Sequence, residues 1–436
     1  MKRTPLENWI SEKIGCKTGL VTREAIERFQ VSRLKETLAL AVAASPFYKG
    51  HLAGFDMASL ESIEDLKRLP FTTPEDLRRN PLSFLCVSQG KIQRVVTLRT
   101  SGTTGEAKRL YFTREDQELT VDFFRVGMST LVGRGTRVLI LLPGERPGSV
   151  GDLLAAGLDR LGANGMVYGP VRDYAHVLET IAREKINALV GIPIQVLTIA
   201  RTGRGMVPPE SALLSTDYVP AAITAELKRI WGCEVYAHYG MTEMGYGGGV
   251  ECRAGNGYHM READLLFEIV DPKTGTPWKE GESGEVVFTT LTRRGMPLIR
   301  YRTGDLSRFL PDRCPCGTVL RTMAPVEGRI ADQVELEPGI MLGIPDLDEA
   351  LFPIHNLVDF SAELTWKNER SCLEIKATLL EEKGEEQGGI LNALHTIPAV
   401  RSLAHEGKLL VGVTVREGTP EPLSGSTKRT IVVKRG

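Results

Sequence analysis

Between residues 137 and 239 the chain repeatedly switches hydrophobic period. RVLILLPG, from Arg137, is an apolar run of strand length, and GDLLAAGLDRLGA after it carries a helical pattern. GMVYGP, RDYAHVLETIAREK, INALVGIP, AITAELKRIWG and CEVYAHYG continue as strand, helix, strand, helix and strand. The strand runs are apolar at successive positions, so both of their faces seek burial. Strands joined through helices lie parallel, because a crossover needs a dozen or more residues and a tight hairpin is too short. An α/β layer built on a largely parallel sheet is therefore expected here.

The flanking segments read differently. Residues 23–44 place Ile26, Phe29, Leu34, Leu38 and Ala41 near helical spacing, and Ser45-Pro46 ends the pattern. After residue 264, LLFEIVDP and EVVFTTLT predict two strands joined by the Gly/Pro-rich KTGTPWKEGESG, with further short strands to about residue 325. The last hundred residues predict a small α+β module: helices at DLDEALFPI and GGILNALHTI, strands at SCLEIKATLL and KLLVGVTVR. The expected fold is α/β. A large N-terminal domain, residues 1–330, combines α/β layers with a β-rich subdomain, and a small α+β C-terminal domain spans residues 331–436, with the boundary inside GRIADQ.

Charge narrows the function classes. The 436 residues hold 54 basic and 55 acidic side chains without a long run of one sign. That pattern argues against a nucleic-acid partner and a polybasic membrane patch. No stretch approaches the ~20 apolar residues of a membrane span, and MKRTPLENWISEK has no signal-like apolar core. Seven cysteines, an odd number, suit a reducing compartment, so a cytoplasmic protein is expected.

RTSGTTGEAKR, residues 100–110, is unusual for its donors. Gly102 and Gly105 allow close backbone approach, and successive N–H groups in such a turn form a concave anion site. Ser101, Thr103 and Thr104 add hydroxyls; Lys108 and Arg109 add positive charge. A polyphosphate fits that set, and so does a hairpin loop with no ligand; the Gly-Lys-Ser/Thr of a P-loop is absent. Three further segments shift the balance: YGMTE at Tyr239–Glu243, YRTGD at Tyr301–Asp305 and GRIADQ from Gly328.

Taken in this order, the four segments resemble the adenylate-forming superfamily of acyl-CoA ligases, nonribosomal adenylation domains and luciferases. SGTTGEAK is similar to its phosphate loop, with Ala107 where Pro is usual; YGMTE, YRTGD and GRIAD are similar to its Mg/adenine, ribose and hinge-arginine motifs. LPFTTPEDLR, ECRAGNGYHMREADLLFEIVDP, GEVVFTTLTRRGMPLIRYRTGDL and CPCG resemble the phenylacetate–CoA ligase branch, which includes deazaflavin-cofactor adenylylating synthetases. The resemblance covers about residues 40–335 and is weak beyond.

The resemblance implies ATP-dependent activation of a carboxylic acid, aryl or medium apolar, to an acyl adenylate, followed by transfer to coenzyme A. It implies that Ser101, Gly102, Thr103, Thr104, Gly105 and Lys108 hold phosphates. Thr242 and Glu243 would sit by the α-phosphate, with Glu243 on Mg²⁺, although Glu243 could instead form a salt bridge to a neighbouring cation. Ser215, Thr216, Asp217, Tyr239, Gly240 and Met241 would face adenine, although Ser215–Asp217 could instead cap the helix near Ala221 and Tyr239 could be core. Asp305 would accept the ribose hydroxyls, since one carboxylate takes two parallel hydrogen bonds. Arg329 would contact ribose or phosphate with its planar donor fork. Ile192, Met241, Met244 and Tyr246 are candidates for the acid pocket, and His238 could line it. The small C-terminal domain would act as a lid, and the branch suggests a homodimer.

Two departures stand out. In PLSGSTKRTIVV, Gly425 and Arg429 align with the branch's Gly-Lys-x-x-Arg pattern, but Ser426 takes the lysine's place and Lys428 stands two residues later. Ala331 replaces the usual Asp or Lys at the second residue after the hinge arginine, and Glu335 stands where a basic residue is common. Lys428 is the candidate catalytic lysine. The departures leave open an acceptor other than coenzyme A, or a degenerate nucleotide-binding protein. Separately, Cys252, His259, Cys314 and Cys316 make a Cys₃His set of the kind that holds structural Zn²⁺, a pattern the branch repeats. Reduced buried thiols beside a histidine are the equal alternative.

Overall fold

The computed structural model describes residues 2–17, 21–98, 107–367, 370–381, 384, 386–420 and 429–434. Two compact units form, each assembled from separated stretches of chain. The first contains residues 1–135, 143–167 and 236–326; the second contains 136–142, 168–235 and 327–436.

In the first unit the long helix Arg23–Ala44 matches its expected span and buries Ile26, Leu34, Leu38 and Ala41, while Phe29 is only half-buried. The Thr22 hydroxyl accepts from the Ala25 N–H at its start, and Ser45 ends it by capping the next helix, Pro46–His51. Strands Ile92–Leu98 and Lys108–Thr113 pair antiparallel, with Leu98 opposite Lys108. Thr113 and Asp116 then form a capping box that opens helix Arg114–Met128. This helix packs on helix Val150–Leu161 where Gly157 sits, since a Cβ there would lie 3.0 Å from the Arg125 nitrogen and Phe124 Cβ.

The β-rich region takes the expected form. Leu265–Val270 and Gly284–Thr290 pair antiparallel, and Tyr301–Ser307 adds a third strand. That third strand alternates strictly, burying Tyr301, Thr303, Asp305 and Ser307 on one face. A second antiparallel run joins Tyr239 to Gly249 and continues through Tyr258–Met260 to Thr322–Met323.

In the second unit, Arg137–Ile140 and Ala188–Gly191 are parallel neighbours, as the alternating pattern required, and Ser211–Leu214, which that pattern did not include, pairs parallel with Ala188–Gly191. Helices Tyr174–Arg183 and Ala221–Trp231 fall where expected. An additional helix, Pro193–Thr202, precedes the Ser211–Leu214 strand. The C-terminal stretch folds as a four-stranded sheet in the order Leu409–Glu417, Arg370–Leu379, Leu357–Lys367, Ile431–Lys434. Helices Glu386–Leu394 and Pro398–His405 make its crossover, and Arg370–Leu379 runs parallel to Leu409–Glu417.

Arg300 shows what holds the first unit's strands in register. Its φ is +47° and its side chain is buried. Nε and Nη2 donate to the two Glu268 oxygens at 3.0 and 2.9 Å, Nη1 donates to the Leu69 carbonyl, and the guanidinium lies 4.0 Å from the centre of the Phe71 ring. Burial holds Glu268 above its usual carboxylate pKa, with the Arg300 charge pulling against it. Arg300→Met, which leaves that acid without its donor, is expected to cost about 3–5 kcal/mol in urea unfolding, whereas an exposed arginine such as Arg183 replaced likewise changes stability by less than about 0.5 kcal/mol.

Candidate active site

Strand alternation separates the two cations after the glycine–threonine loop. Lys108 turns inward, with 15% of its side chain exposed, while Arg109 faces solvent. Lys108 Nζ donates a short hydrogen bond to Glu243 Oε1 and lies 3.2 Å from the Tyr301 hydroxyl. Tyr301 itself donates to the same Glu243 oxygen at 3.2 Å. Lysine, tyrosine and glutamate thus form a closed triangle drawn from three distant sequence segments.

Glu243 is 2% exposed. Burial alone would push its carboxyl up; the Lys108 charge and the hydrogen bonds from Lys108, its own backbone and Tyr301 outweigh that and hold it below its usual range. Glu243 is therefore ionised in the folded protein. Its backbone is held from the other side, where Arg293 Nη1 donates to the Glu243 carbonyl at 2.8 Å and Nη2 to that of Tyr111 at 3.1 Å. The Arg293 guanidinium lies 4.3 Å from the centre of the Phe112 ring. Tyr301 and Arg293 were not singled out from sequence. Tyr301 opens the YRTGD motif, so its position carried a signal; Arg293, in TTLTRRGMP, had none beyond a run of two arginines.

The other end of the two motifs is joined as well. The Tyr239 hydroxyl donates to Asp305 Oδ2 at 3.0 Å, both residues are buried, and the Tyr239 ring packs 5.9 Å from that of Tyr258. YGMTE and YRTGD consequently lie head to tail, with Tyr239 on Asp305 and Glu243 on Tyr301. Between those ends, Gly240 must be glycine: a Cβ would fall 2.4 Å from the Tyr246 carbonyl oxygen. Met241 and Thr242 are half-buried, and Thr242 opens the short 3₁₀ turn Thr242–Met244. Of the candidate pocket residues, Met244 is buried while Ile192 and Tyr246 are half-buried. His238 packs against Phe123 and Phe124, and burial pushes its pKa down to about 4, so it is neutral.

Ser215, Thr216 and Asp217 follow strand Ser211–Leu214 in the second unit. Ser215 N–H donates to Gly191, and Thr216 adopts φ +73°. They do not cap the helix at Ala221; Pro220 occupies the cap, and the Glu349 carboxylate accepts the Ala221 and Ala222 N–H groups. Arg329 closes the two-residue strand Gly328–Arg329 and is half-buried. Ser101, Gly102, Thr103, Thr104, Gly105, Ser426 and Lys428 lie outside the described residues.

The Cys/His set is brought together. The ligand atoms of Cys252, His259, Cys314 and Cys316 all lie within 4.8 Å of one another, and all four residues are buried. Cys252 and Cys314 sulfurs are 3.6 Å apart, too far for a disulfide, and Cys316 Sγ lies 3.5 Å from His259 Nε2. A tetrahedral zinc has edges of about 3.8 Å between sulfurs and about 3.6 Å from sulfur to nitrogen, given bonds of about 2.3 and 2.0–2.1 Å. The donor set and its spacing fit that ion. Burial pushes the Cys252 thiol up to about 12 and the His259 imidazole down to about 4, leaving both neutral until a cation is present.

With this geometry in place, similarity to known proteins becomes informative. A family model described as AMP-binding enzyme matches residues 92–291. The phenylacetate–coenzyme A ligase of Thermus thermophilus is 31% identical over 90% of this chain and 92% of its own length. Those of Aromatoleum evansii and Escherichia coli are 27% and 26% identical, each over at least 90% of both chains. Among solved structures, a 2-hydroxyisobutyryl-CoA ligase in the postadenylation state with 2-HIB-AMP superimposes with a TM-score of 0.76 at 22% identity, over 95% of this chain and 89% of that one. That likeness confirms the fold. No described helix is long and apolar enough to cross a membrane.

Lys108→Met strands a buried carboxylate. It is expected to lower stability by about 3–5 kcal/mol near pH 7. Glu243's folded pKa lies below its usual 4.5, so the wild-type contribution is present above that value and is lost as pH falls through the folded pKa. Denaturant unfolding as a function of pH should therefore show wild type and variant converging as pH falls below 4.5 and through the folded pKa of Glu243.

Proposed function

The chain belongs to the phenylacetate–CoA ligase-like branch of the AMP-binding, adenylate-forming enzymes, and on that premise we propose that it makes acyl-coenzyme A thioesters from a carboxylic acid and ATP. In the first step an oxygen of the acid attacks the α-phosphorus of ATP, the bond to the bridging oxygen breaks, and pyrophosphate leaves. The product is an acyl adenylate. In the second step the sulfur of coenzyme A attacks the acyl carbon and AMP departs. The relatives' shared chemistry and the head-to-tail joining of YGMTE with YRTGD support this reading.

The protein's task in such a reaction is to position and to stabilise charge. Ser101–Gly105 and Lys108 would hold the β- and γ-phosphates. Asp305 would take the ribose hydroxyls, with the Tyr239 hydroxyl fixing its orientation. Ser215–Asp217, Tyr239, Gly240 and Met241 are the candidates for contact with adenine. Thr242 and Glu243 would face the α-phosphate, and Arg329 and Lys428 would add donors as the acid attacks. Glu243 suits Mg²⁺, being an ionised, buried carboxylate already facing a cation, and Mg²⁺ would supply neutralisation of the phosphate charge. Lys108 compensates Glu243 in the absence of nucleotide, and its ammonium is the group free to transfer to phosphate oxygens.

The acid is aryl or medium apolar, given Ile192, Met241, Met244 and Tyr246. We place the enzyme in the cytoplasm as a homodimer, with zinc at Cys252, His259, Cys314 and Cys316 in a structural role. Ser426 and Ala331 favour, as the second reading, a degenerate nucleotide-binding protein lacking full ligase activity, and they leave open an adenylate-forming enzyme with a different acceptor.

Pyrophosphate exchange into ATP across a panel of aryl and C4–C8 carboxylic acids tests the first step, and thioester formation on adding coenzyme A tests the second. Glu243→Gln should lower the exchange rate about 10²–10³-fold, the loss typical of one group aimed at developing charge. Exchange with no acid on the panel would refute the reading, and exchange without thioester would select the other acceptor. Metal analysis should find one zinc per chain, and Cys314→Ser should lose most of it; a metal-free, fully folded wild type would remove zinc from the account.

A further inference from the structure

Helix Ile344–Leu351 places two adjacent carboxylates in different surroundings. Asp348 Oδ1 accepts from Arg429 Nη1 at 2.6 Å, and the Arg429 guanidinium lies 4.3 Å from the centre of the Phe360 ring. Arg429 directly follows Lys428 in the chain. Glu349 turns towards helix Ala221–Trp231. Its Oε1 accepts from the Tyr218 hydroxyl at 2.8 Å and the Ala221 N–H at 2.7 Å, and its Oε2 accepts from the Ala222 N–H at 2.9 Å. Burial first, and the Glu349 charge second, hold the Tyr218 hydroxyl protonated, so it is the donor.

That carboxylate performs a cap that local sequence cannot. The residue at the cap is Pro220, which has no side-chain acceptor, so the first N–H groups of the helix would otherwise lack a partner. A negative charge at a helix N-terminus is favourable in its own right. The chain immediately before, Ser215–Thr216–Asp217, contains a left-handed threonine at φ +73°. Thr216 is β-branched, and that conformation is costly unless its surroundings impose it. Ser215 N–H donates to the Gly191 carbonyl before this turn, and Glu349 holds Tyr218 and Ala221 after it. Arg201 clamps the same region from behind: buried, it donates to the Phe352 carbonyl at 2.6 Å, to the Leu357 carbonyl, and to Glu226 at 3.2 Å.

We propose that Glu349 is a positioning residue for the nucleotide: from the C-terminal stretch it sets the conformation of Ser215–Asp217, so that affinity for adenine depends on a residue outside every recognised motif. Asp348, through Arg429, ties the residue after Lys428 to the same helix turn. This rests on the reading of Ser215–Asp217 given above.

The test is AMP binding by calorimetry, which needs no knowledge of the acid. Glu349→Ala should weaken AMP about tenfold, the scale of losing a charged cap. Glu349→Gln, which retains an acceptor oxygen, should recover to within about threefold of wild type while the unfolding midpoint of both variants stays within a few degrees. AMP affinity unchanged in Glu349→Ala would overturn the inference alone. So would equal loss in both variants in step with a fall in the unfolding midpoint, because that marks a structural cap only. A wild type that binds no AMP would instead overturn the functional reading, and this inference with it.

Discussion

The pairing of Lys108 with Glu243 underlies the site. A carboxylate 2% exposed stays ionised only if a partner charge and hydrogen bonds replace its lost water. Lys108 and Tyr301 provide these, and in doing so they fix three segments at once: the end of the glycine–threonine loop, the YGMTE turn and the YRTGD strand. The arrangement has a cost, since desolvated ion pairs contribute little net stability. In the proposed reaction it would hold a charged group aimed at the phosphates, as electrostatic catalysis requires.

The second joint, between Tyr239 and Asp305, closes the other end of the two motifs. Asp305 and Tyr301 share a strand face because four residues preserve the two-residue alternation. Tyr239 and Glu243 are also four apart, but on a strand end and a 3₁₀ turn. Matching those separations lets both ends close together, with Gly240 admitting the Tyr246 carbonyl between them. Motif spacing therefore reflects the need to bring two hydrogen-bonded pairs into register.

Much of this was legible in the residues. The helix at 23–44 was found by its apolar period, and its caps are local. The strand pair beginning at LLFEIV and EVVFTT was found by length and flanking turns. Helix Pro193–Thr202 escaped because Pro193 to Arg201 are all buried, so no polar face marks its period. Strand Ser211–Leu214 has four residues, too few to set a pattern. Strand Leu357–Lys367 was legible but went unread: from Val358 to Lys367 apolar and polar residues alternate strictly, the period of a half-buried strand, and it lies inside the C-terminal sheet. The candidate site was legible as motif residues but not as contacts: that Lys108 faces inward and Arg109 outward depends on the register with Leu98 and Thr97.

Sequence by itself determined the class of fold, the nucleotide-type motifs, and the four residues of the Cys/His set, because each depends on local period or on side-chain identity. Tertiary structure decided which groups meet. It assigned Tyr301 and Arg293 to Glu243, gathered Cys252 and His259 beside Cys314 and Cys316, and gave helix Ala221–Trp231 a cap from Glu349, 128 residues away from Ala221. The reason is physical: local propensity acts over a few residues, whereas the partner of a buried charge is whichever group the packing of distant segments delivers.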